Sequence, residues 1–116
     1  MEIQDKVSLI VQALYDKKGV DIVALKLQGL TLVADYFIIA SGRSTNQVQA
    51  LAKNVMDELG KSEIKELRVE GYREGRWVLL DYSDVVVHIF LDEARQFYGL
   101  ERLWGDAEHV QLTFDN

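Results

Sequence analysis

The feature that most constrains the fold of this chain is a junction near its middle, where a strand pattern changes to a helical one. The run YFIIAS at residues 36–41 is apolar and rich in aromatic and β-branched side chains, as is typical of a strand covered on both faces. Residues 41–43 (SGR) interrupt it, and Ser44 stands three residues before Gln47, the spacing of a capping box. Apolar residues then recur every three or four positions as far as Gly60: Val48, Leu51, Ala52, Val55, Met56 and Leu59. The sequence thus predicts a buried strand followed directly by an amphipathic helix.

The residues before this junction contain one helical pattern and one strand pattern. Apolar residues at spacings of three and four predict a helix over residues 3–17, and Gly19 is placed to end it. Lys17 and Lys18 suit the negative end of that helix's dipole. Residues 21–27 alternate between larger apolar side chains and smaller or charged ones, which predicts a strand.

Beyond residue 60 the hydrophobic period changes to two. Leu67 and Val69 alternate with charged residues, and residues 71–75 contain glycine at each end, as a turn does. Two more strands are predicted at 76–82 and 85–90, separated by the turn Ser83-Asp84. Strands separated by short turns indicate an antiparallel meander.

The chain closes on a short helix and a polar tail. Asp92 is placed to cap a helix that runs to Tyr98, and the segment GLERLW follows it. The predicted element order is αββαβββα. Helices dispersed among strands in this way predict an α/β fold with a mixed β-sheet covered by helices.

Composition narrows the class of protein. The 116 residues suit one domain, and the chain has no cysteine, so neither a disulfide framework nor a thiolate metal site is predicted. No apolar run approaches the ~20 residues that cross a bilayer. The first residues are acidic, unlike the basic start of a signal or transit peptide. These features favour a soluble cytoplasmic protein.

The charge is negative and unevenly distributed. A net charge of −6 argues against a general nucleic-acid binder, which needs a basic surface to contact phosphates. Residues 59–116 carry −5 of that charge. A docking surface in this half would suit a basic partner, whereas a solvated acidic surface that aids solubility explains the same charge without any partner.

Two groups of residues could carry chemistry, and each also has a structural explanation. In SGRST at residues 41–45, Arg43 and Ser44 could hold an anion or an RNA phosphate at a helix N-terminus. However, the spacing is neither GxxxxGK[ST] nor GxGxxG, and helix capping explains Ser44 and Gly42 without any ligand.

The second group consists of four acidic residues near His88, which could hold Mg²⁺ or support acid–base chemistry: Asp81, Asp84, Asp92 and Glu93. Asp84 also suits a turn and Asp92 a helix cap, and Asp81 is predicted on a different strand from His88. Parity places His88 opposite Val87 and Ile89, which predicts that it is exposed. No metal or cofactor is predicted.

A third group is aromatic and favours binding over catalysis. Six aromatic side chains fall between residues 77 and 104: Trp77, Tyr82, Phe90, Phe97, Tyr98 and Trp104. If Val78 faces the core, then Trp77 and Leu79 form an outward apolar patch, which His88 and Phe90 on the neighbouring strand extend. Phe97 is predicted to lie in the core. Exposed aromatic and leucine side chains together are typical of binding hot spots, although a core role for Trp77 fits its spacing nearly as well.

Three blocks of this sequence resemble the ribosomal silencing factor family, which is related to maize Iojap. They are DYFIIASGRSTNQVQALA, VEGYREGRWVLLDYSDVVVHIF and EARQFYGLERLWGDA. The resemblance implies a family domain over residues 3–107, followed by a polar tail over 108–116. It also implies a nucleotidyltransferase-like fold. No carboxylate pair stands near Ser41 and Gly42 to hold two metals, so the sequence predicts that the catalytic site is absent and that the protein is not an enzyme.

The same resemblance implies a function. Members of the family bind the large ribosomal subunit through ribosomal protein L-fourteen, block the joining of the two subunits, repress translation when nutrients run low, and tend to form homodimers. The motif residues match Trp77, Asp84, His88, Tyr98, Leu100, Leu103 and Trp104. Together with Leu79 and Phe90 from strand parity, all but Asp84 are the predicted partner-binding residues. An assembly factor for the large subunit that uses the same surface, or a nucleotide binder using residues 41–45, remain alternatives.

Overall fold

A parallel pair of strands forms the centre of a six-stranded mixed sheet. The computed structural model describes residues 1–114. In chain order the elements are α1 Ile3–Asp16, β1 Val20–Lys26, β2 Tyr36–Gly42, α2 Thr45–Gly60, β3 Arg68–Glu70, β4 Trp77–Asp81, β5 Val85–Leu91, α3 Asp92–Tyr98, α4 Leu100–Leu103 and β6 Glu108–His109. The predicted fold class and element order are confirmed, and α4 and β6 are two short additions.

The sheet order is β3-β4-β5-β2-β1-β6. Strands β2 and β5 run parallel, with Tyr36 opposite Val85 at one end and Gly42 opposite Leu91 at the other. The remaining pairs are antiparallel, and β3-β4-β5 is the predicted meander. β2 is buried along its whole length and β5 along all but its last residue, because both faces of the sheet are covered.

The two faces of the sheet are covered differently. On one, which we call the helix face, α1 and α2 pack on alternate residues of the strands, including Ile38, Val78, Leu80 and Val87. On the other, which we call the aromatic face, Phe37, Trp77, Leu79, His88 and Phe90 lie beneath α3, α4 and Trp104. We call this cover, residues 92–104, the α3–α4 segment.

The predicted junction between β2 and α2 forms with one change of detail. Ser44 is the N-cap of α2, and its Oγ accepts a hydrogen bond from Gln47 N at 3.1 Å, as expected. Gln47 Oε1 accepts from Arg43 N at 2.7 Å, one residue before the usual capping-box partner. A Cβ on Gly42 would lie 2.9 Å from Val48 Cγ2, so the helix can approach the strand this closely only over a glycine.

Two predicted helix ends are wrong. Helix α1 ends at Asp16, and Lys17 and Lys18 lie beyond its last turn; Lys18 itself adopts a left-handed conformation with φ 66°. The chain therefore leaves the helix before Gly19. At α3 the N-cap is Leu91 and Asp92 is the first helical residue, so its carboxylate favours the helix dipole without capping a backbone N–H.

The predicted tail begins as a strand and packs on the domain. Glu108–His109 extends the sheet as β6 by pairing with Lys26 and Leu25 of β1. Val110, Leu112 and Phe114 are partly buried against the helix-face core, and the Phe114 ring stacks on Tyr15 at 4.4 Å between centroids. The last two predicted tail residues, 115 and 116, lie outside the described range. Within residues 1–114, no helix is both long and apolar enough to cross a membrane.

Candidate functional site

The aromatic face is organised around a hydrogen bond between a tryptophan and a histidine. The antiparallel register of β4 and β5 places Trp77 opposite Phe90 and Leu79 opposite His88. Trp77 Nε1 donates to His88 Nδ1 at 3.1 Å. The indole also stacks on Phe90, with ring centroids 5.1 Å apart. The prediction that Trp77 and Leu79 point away from Val78 is confirmed, since Val78 lies in the helix-face core.

His88 is a buried neutral acceptor. It is 4% exposed, and burial lowers its pKa from 6.5 to about 4, so the ring is uncharged near neutral pH. Because Nδ1 accepts from Trp77, the ring proton lies on Nε2. Nε2 has no hydrogen-bond partner among the described residues, and the ring packs edge-on against Phe37 at 4.6 Å. The uncharged ring can therefore orient the indole without adding a buried charge.

The α3–α4 segment covers this pair and overturns the prediction that His88 and Phe90 are exposed. The Tyr98 ring lies 4.6 Å from that of Trp77, and Trp104 packs edge-on against Phe37 at 6.0 Å. Phe90 is fully buried, whereas Trp77 and Leu79 are half-buried. Strand parity placed these residues on the same face of the sheet, as observed, but it could not show that two short helices fold back over that face.

Three large apolar side chains of the same segment face solvent. Phe97 is 80% exposed, Leu103 73% and Tyr98 43%, while Leu100 and Trp104 are partly buried against the aromatic face. The predicted core position of Phe97 is wrong because α3 turns Ala94 and Arg95 toward the sheet instead. The Phe97 and Tyr98 rings pack edge-on at 5.4 Å between centroids, so these two side chains form one exposed apolar pair.

Arg95 is a residue that the sequence reasoning missed. It is one of three buried polar or charged residues among those described, with Ser41 and His88. The signal was its position next to Ala94 in a seven-residue helix, where two neighbouring residues can share the inward side.

Asp84, a residue of the family motif, lies immediately before β5, whereas α3 follows the end of that strand. Its carboxylate accepts a hydrogen bond from Lys6 Nζ at 2.8 Å. Its backbone oxygen accepts from Asp35 N and Tyr36 N, at 2.8 and 3.1 Å. Asp84 therefore joins α1 to the start of the central strands and lies apart from the aromatic face.

The acidic residues near His88 do not converge. Asp81 pairs with Val86 near the start of β5, and Asp92 follows its end, which separates them by roughly 15–20 Å of strand. No group of three or more histidine or acidic side chains within residues 1–114 could hold a metal ion.

At the other candidate site, Arg43 and Ser44 are exposed beside the first turn of α2. Ser44 Oγ is used as the helix cap, and Ser41 Oγ accepts a hydrogen bond from Arg95 Nη1 at 2.9 Å. Both hydroxyls are therefore engaged within the protein. An anion would meet the Arg43 side chain and the backbone of the first turn.

The chain resembles known proteins over nearly its whole length. The model of the family described as ribosomal silencing factor during starvation matches residues 1–116. The ribosomal silencing factor of Bacillus subtilis is 48% identical over 99 residues, covering 85% of this chain and 84% of that protein. Its counterpart in Halalkalibacterium halodurans is 46% identical over 112 residues, covering 97% of this chain and 96% of that protein.

Organellar proteins match over a smaller share of their length. The chloroplast protein Iojap of maize is 34% identical over 106 residues, covering 91% of this chain but 46% of that protein. A mouse protein named for mitochondrial assembly of the ribosomal large subunit is 27% identical over 101 residues, which cover 84% of this chain and 44% of that protein.

Two solved structures share the fold. A crystal structure from Chromobacterium violaceum superposes with a TM-score of 0.89 at 40% identity, covering 97% of this chain and 93% of that one. A second, from Bacillus halodurans, has a TM-score of 0.85 at 42% identity and covers 94% and 99%. Since the family match spans residues 1–116 and the bacterial relatives are this similar over most of their length, the protein belongs to the ribosomal silencing factor family.

Proposed function

We propose that this protein binds the large ribosomal subunit through ribosomal protein L-fourteen and sterically blocks association with the small subunit, which represses translation. The observation that supports the docking surface is the trio of exposed apolar side chains on the α3–α4 segment, Phe97, Tyr98 and Leu103. Tyr98 packs on the half-buried Trp77 and Phe97 packs on Tyr98, which gives an aromatic anchor with an apolar neighbour, as binding hot spots use. Leu103 is exposed on the next helix of the same segment. We call these four residues the docking patch.

The charge around the docking patch favours a basic partner. Residues 92–108 contain five acidic side chains and two arginines. Arg95 is buried and pairs with Glu101, which leaves four acidic side chains and Arg102, so the net charge of this stretch is negative. Such a field speeds encounter with a basic ribosomal protein and repels bare RNA phosphates.

Burial changes the roles that the sequence suggested for individual residues. His88 and Phe90 lie underneath and support Trp77, so they shape the docking patch without reaching a partner. Leu100 and Trp104 fasten the segment to the sheet by packing on Phe37 and its neighbours. The residues proposed to contact the partner directly are therefore those of the docking patch, with Leu79 at its edge.

Subunit association measured by light scattering tests this proposal. Added to purified large and small subunits, the protein should lower the amount of joined ribosome, because a bound protein on the joining face excludes the small subunit. The variant Leu103→Ala should bind large subunits roughly tenfold more weakly and block joining correspondingly less. Unchanged association at saturating wild-type protein would rule out the blocking function.

A matched control uses a leucine elsewhere on the surface. Leu32, in the loop between β1 and β2, is fully exposed and lies outside the docking patch. The variant Leu32→Ala shortens an exposed leucine in the same way and should leave both binding and subunit joining unchanged. Equal losses for Leu32→Ala and Leu103→Ala would argue against the docking patch.

Large-subunit assembly is the alternative function, and the name of the mouse relative favours it. An assembly factor would use the same docking patch, yet it would leave the joining of mature subunits unaffected. The same light-scattering experiment separates the two functions. With either function, we propose that the protein is cytoplasmic and acts without catalysis. We also propose that it forms a homodimer through the exposed apolar side chains, which sedimentation can test.

A further inference from the structure

Arg95 is the one buried lysine or arginine within residues 1–114. Removing a guanidinium from water is costly unless its donors are paired, so a buried arginine needs a reason. Its Nε donates to Glu101 Oε1 at 2.8 Å, and its Nη1 donates to Ser41 Oγ at 2.9 Å. Nη1 also lies 3.5 Å from Val20 O, at the limit of a hydrogen bond.

These partners belong to separate parts of the fold. Arg95 is on α3, Glu101 on α4, Ser41 near the end of β2, and Val20 begins β1. One guanidinium therefore connects both short helices to the same end of the sheet. Gly99, between the helices, has φ +62°, a left-handed conformation that turns the chain between α3 and α4. The Arg95–Glu101 pair bridges that turn.

Besides this guanidinium, the segment is held mainly by the Tyr98 and Trp104 rings, which pack on Trp77 and Phe37. In α3 the only other buried residue is Ala94, and no residue of α4 is fully buried. Helices of seven and four residues are too short to be stable by themselves, so tertiary contacts must order them. The apolar residues that complete the cover, Leu100 and Trp104, are only partly buried. The paired guanidinium is thus a principal restraint on how the segment sits.

We propose that Arg95 is the positioning residue of the docking patch: it touches no partner, and it holds Phe97, Tyr98 and Leu103 in the arrangement that the partner recognises. This inference rests on the proposed docking function. A surface already ordered before contact binds more tightly, because binding then does not have to order the segment. The side chain acts through Glu101 and Ser41, so its loss changes recognition without removing a contact.

The test compares Arg95→Met with Arg102→Met. Methionine keeps much of the length of Arg95 and removes all its donors. We expect the amides of residues 98–104 to exchange hydrogen about tenfold faster, and the affinity for large subunits to fall about tenfold, since several hydrogen bonds to a charged group are lost. Arg102 lies in the same segment, is exposed, and forms no salt bridge with any residue the structure describes. Its variant should leave both quantities unchanged, and equal losses in the two variants would overturn the proposal.

A double-mutant cycle separates positioning from a loss of overall stability. If Arg95 positions Leu103, then Leu103→Ala should weaken binding less in the Arg95→Met background than in the wild type. A protein that is merely less stable would show the full Leu103→Ala loss in both backgrounds. Arg95→Lys should restore binding only in part, because a compact ammonium cannot pair with Glu101 and Ser41 in the arginine geometry.

A second variant keeps the test decisive if Arg95→Met fails to fold. Glu101→Gln weakens the same pairing from its more exposed partner and should raise exchange at residues 98–104 in the same direction, by a smaller factor. Faster exchange with wild-type affinity, or unchanged exchange, would reject the positioning role. The docking proposal itself fails under a different result, which is wild-type affinity for Leu103→Ala.

Discussion

The two faces of the sheet are stabilised by different kinds of interaction. The helix face is covered by helices of 14 and 16 residues, and its buried residues are almost all aliphatic. The aromatic face is covered by helices of seven and four residues, and it contains a buried histidine, a buried arginine and stacked rings. Aliphatic packing is non-directional and serves stability, whereas hydrogen bonds and ring stacking fix orientation. The comparison suggests that the helix face maintains the fold and that the aromatic face shapes a binding surface.

The largest effect on the free energy of unfolding is expected from a substitution on the helix face. Leu51 on α2 is fully buried there. Leu51→Ala should lower the free energy of unfolding by about 3 kcal/mol, because it removes apolar burial and leaves a cavity. Denaturant unfolding measures the loss. Binding to large subunits by the folded fraction should stay at the wild-type value.

The matched control is the same substitution on the opposite side of the molecule. Leu103→Ala should change the free energy of unfolding by less than about 0.5 kcal/mol, because that side chain is mostly in water. If Leu51→Ala weakened binding as much as Leu103→Ala did, the separation of the two faces would be wrong.

An intermediate effect on the free energy of unfolding is expected when the pH is lowered, and it arises on the aromatic face. The pKa of His88 is 6.5 when unfolded and about 4 when folded, so the unfolded chain binds more protons between these values. Stability from neutral His88 is complete above pH 6.5 and is lost as pH falls toward 4. Between pH 7 and pH 5 the wild type should lose about 2 kcal/mol that the variant His88→Gln does not lose.

Denaturant unfolding of both proteins at the two pH values measures this difference. His109→Gln is the matched histidine substitution at the surface, because His109 is exposed on β6. An equal acid-dependent loss in wild type and His88→Gln would show that another group causes it.

The smallest effect concerns the cap of α2. Ser44→Ala removes the hydrogen bond from Gln47 N to Ser44 Oγ and should lower the free energy of unfolding by about 1 kcal/mol. Ser62→Ala, an exposed serine beyond the end of the same helix, should have little effect. Ribosome binding should not change with either variant. Reduced binding by Ser44→Ala alone would instead show that the start of α2 contributes to ribosome binding.

Local sequence signals predicted most of the fold. The strand at residues 36–41, the cap at Ser44 and the helix to Gly60 were all confirmed, because each depends on neighbours within a few residues. Helix ends were less predictable. Asp92 has a suitable side chain for a cap, yet the chain enters α3 one residue earlier, because β5 continues to Leu91.

The sequence by itself determined which face of the sheet holds Trp77, Leu79 and Phe90, since side chains in a strand alternate with a period of two. Only the tertiary structure decided which of them meet solvent. The α3–α4 segment folds back over that face, buries Phe90 and leaves Phe97 outside. Arg95 takes the inward position there because its donors reach Glu101 on the next helix and Ser41, which is 54 residues away in the sequence. Local sequence does not reveal that pairing, because the fold brings the three side chains together. Alternation is a property of one strand, whereas burial depends on what the rest of the chain places above it.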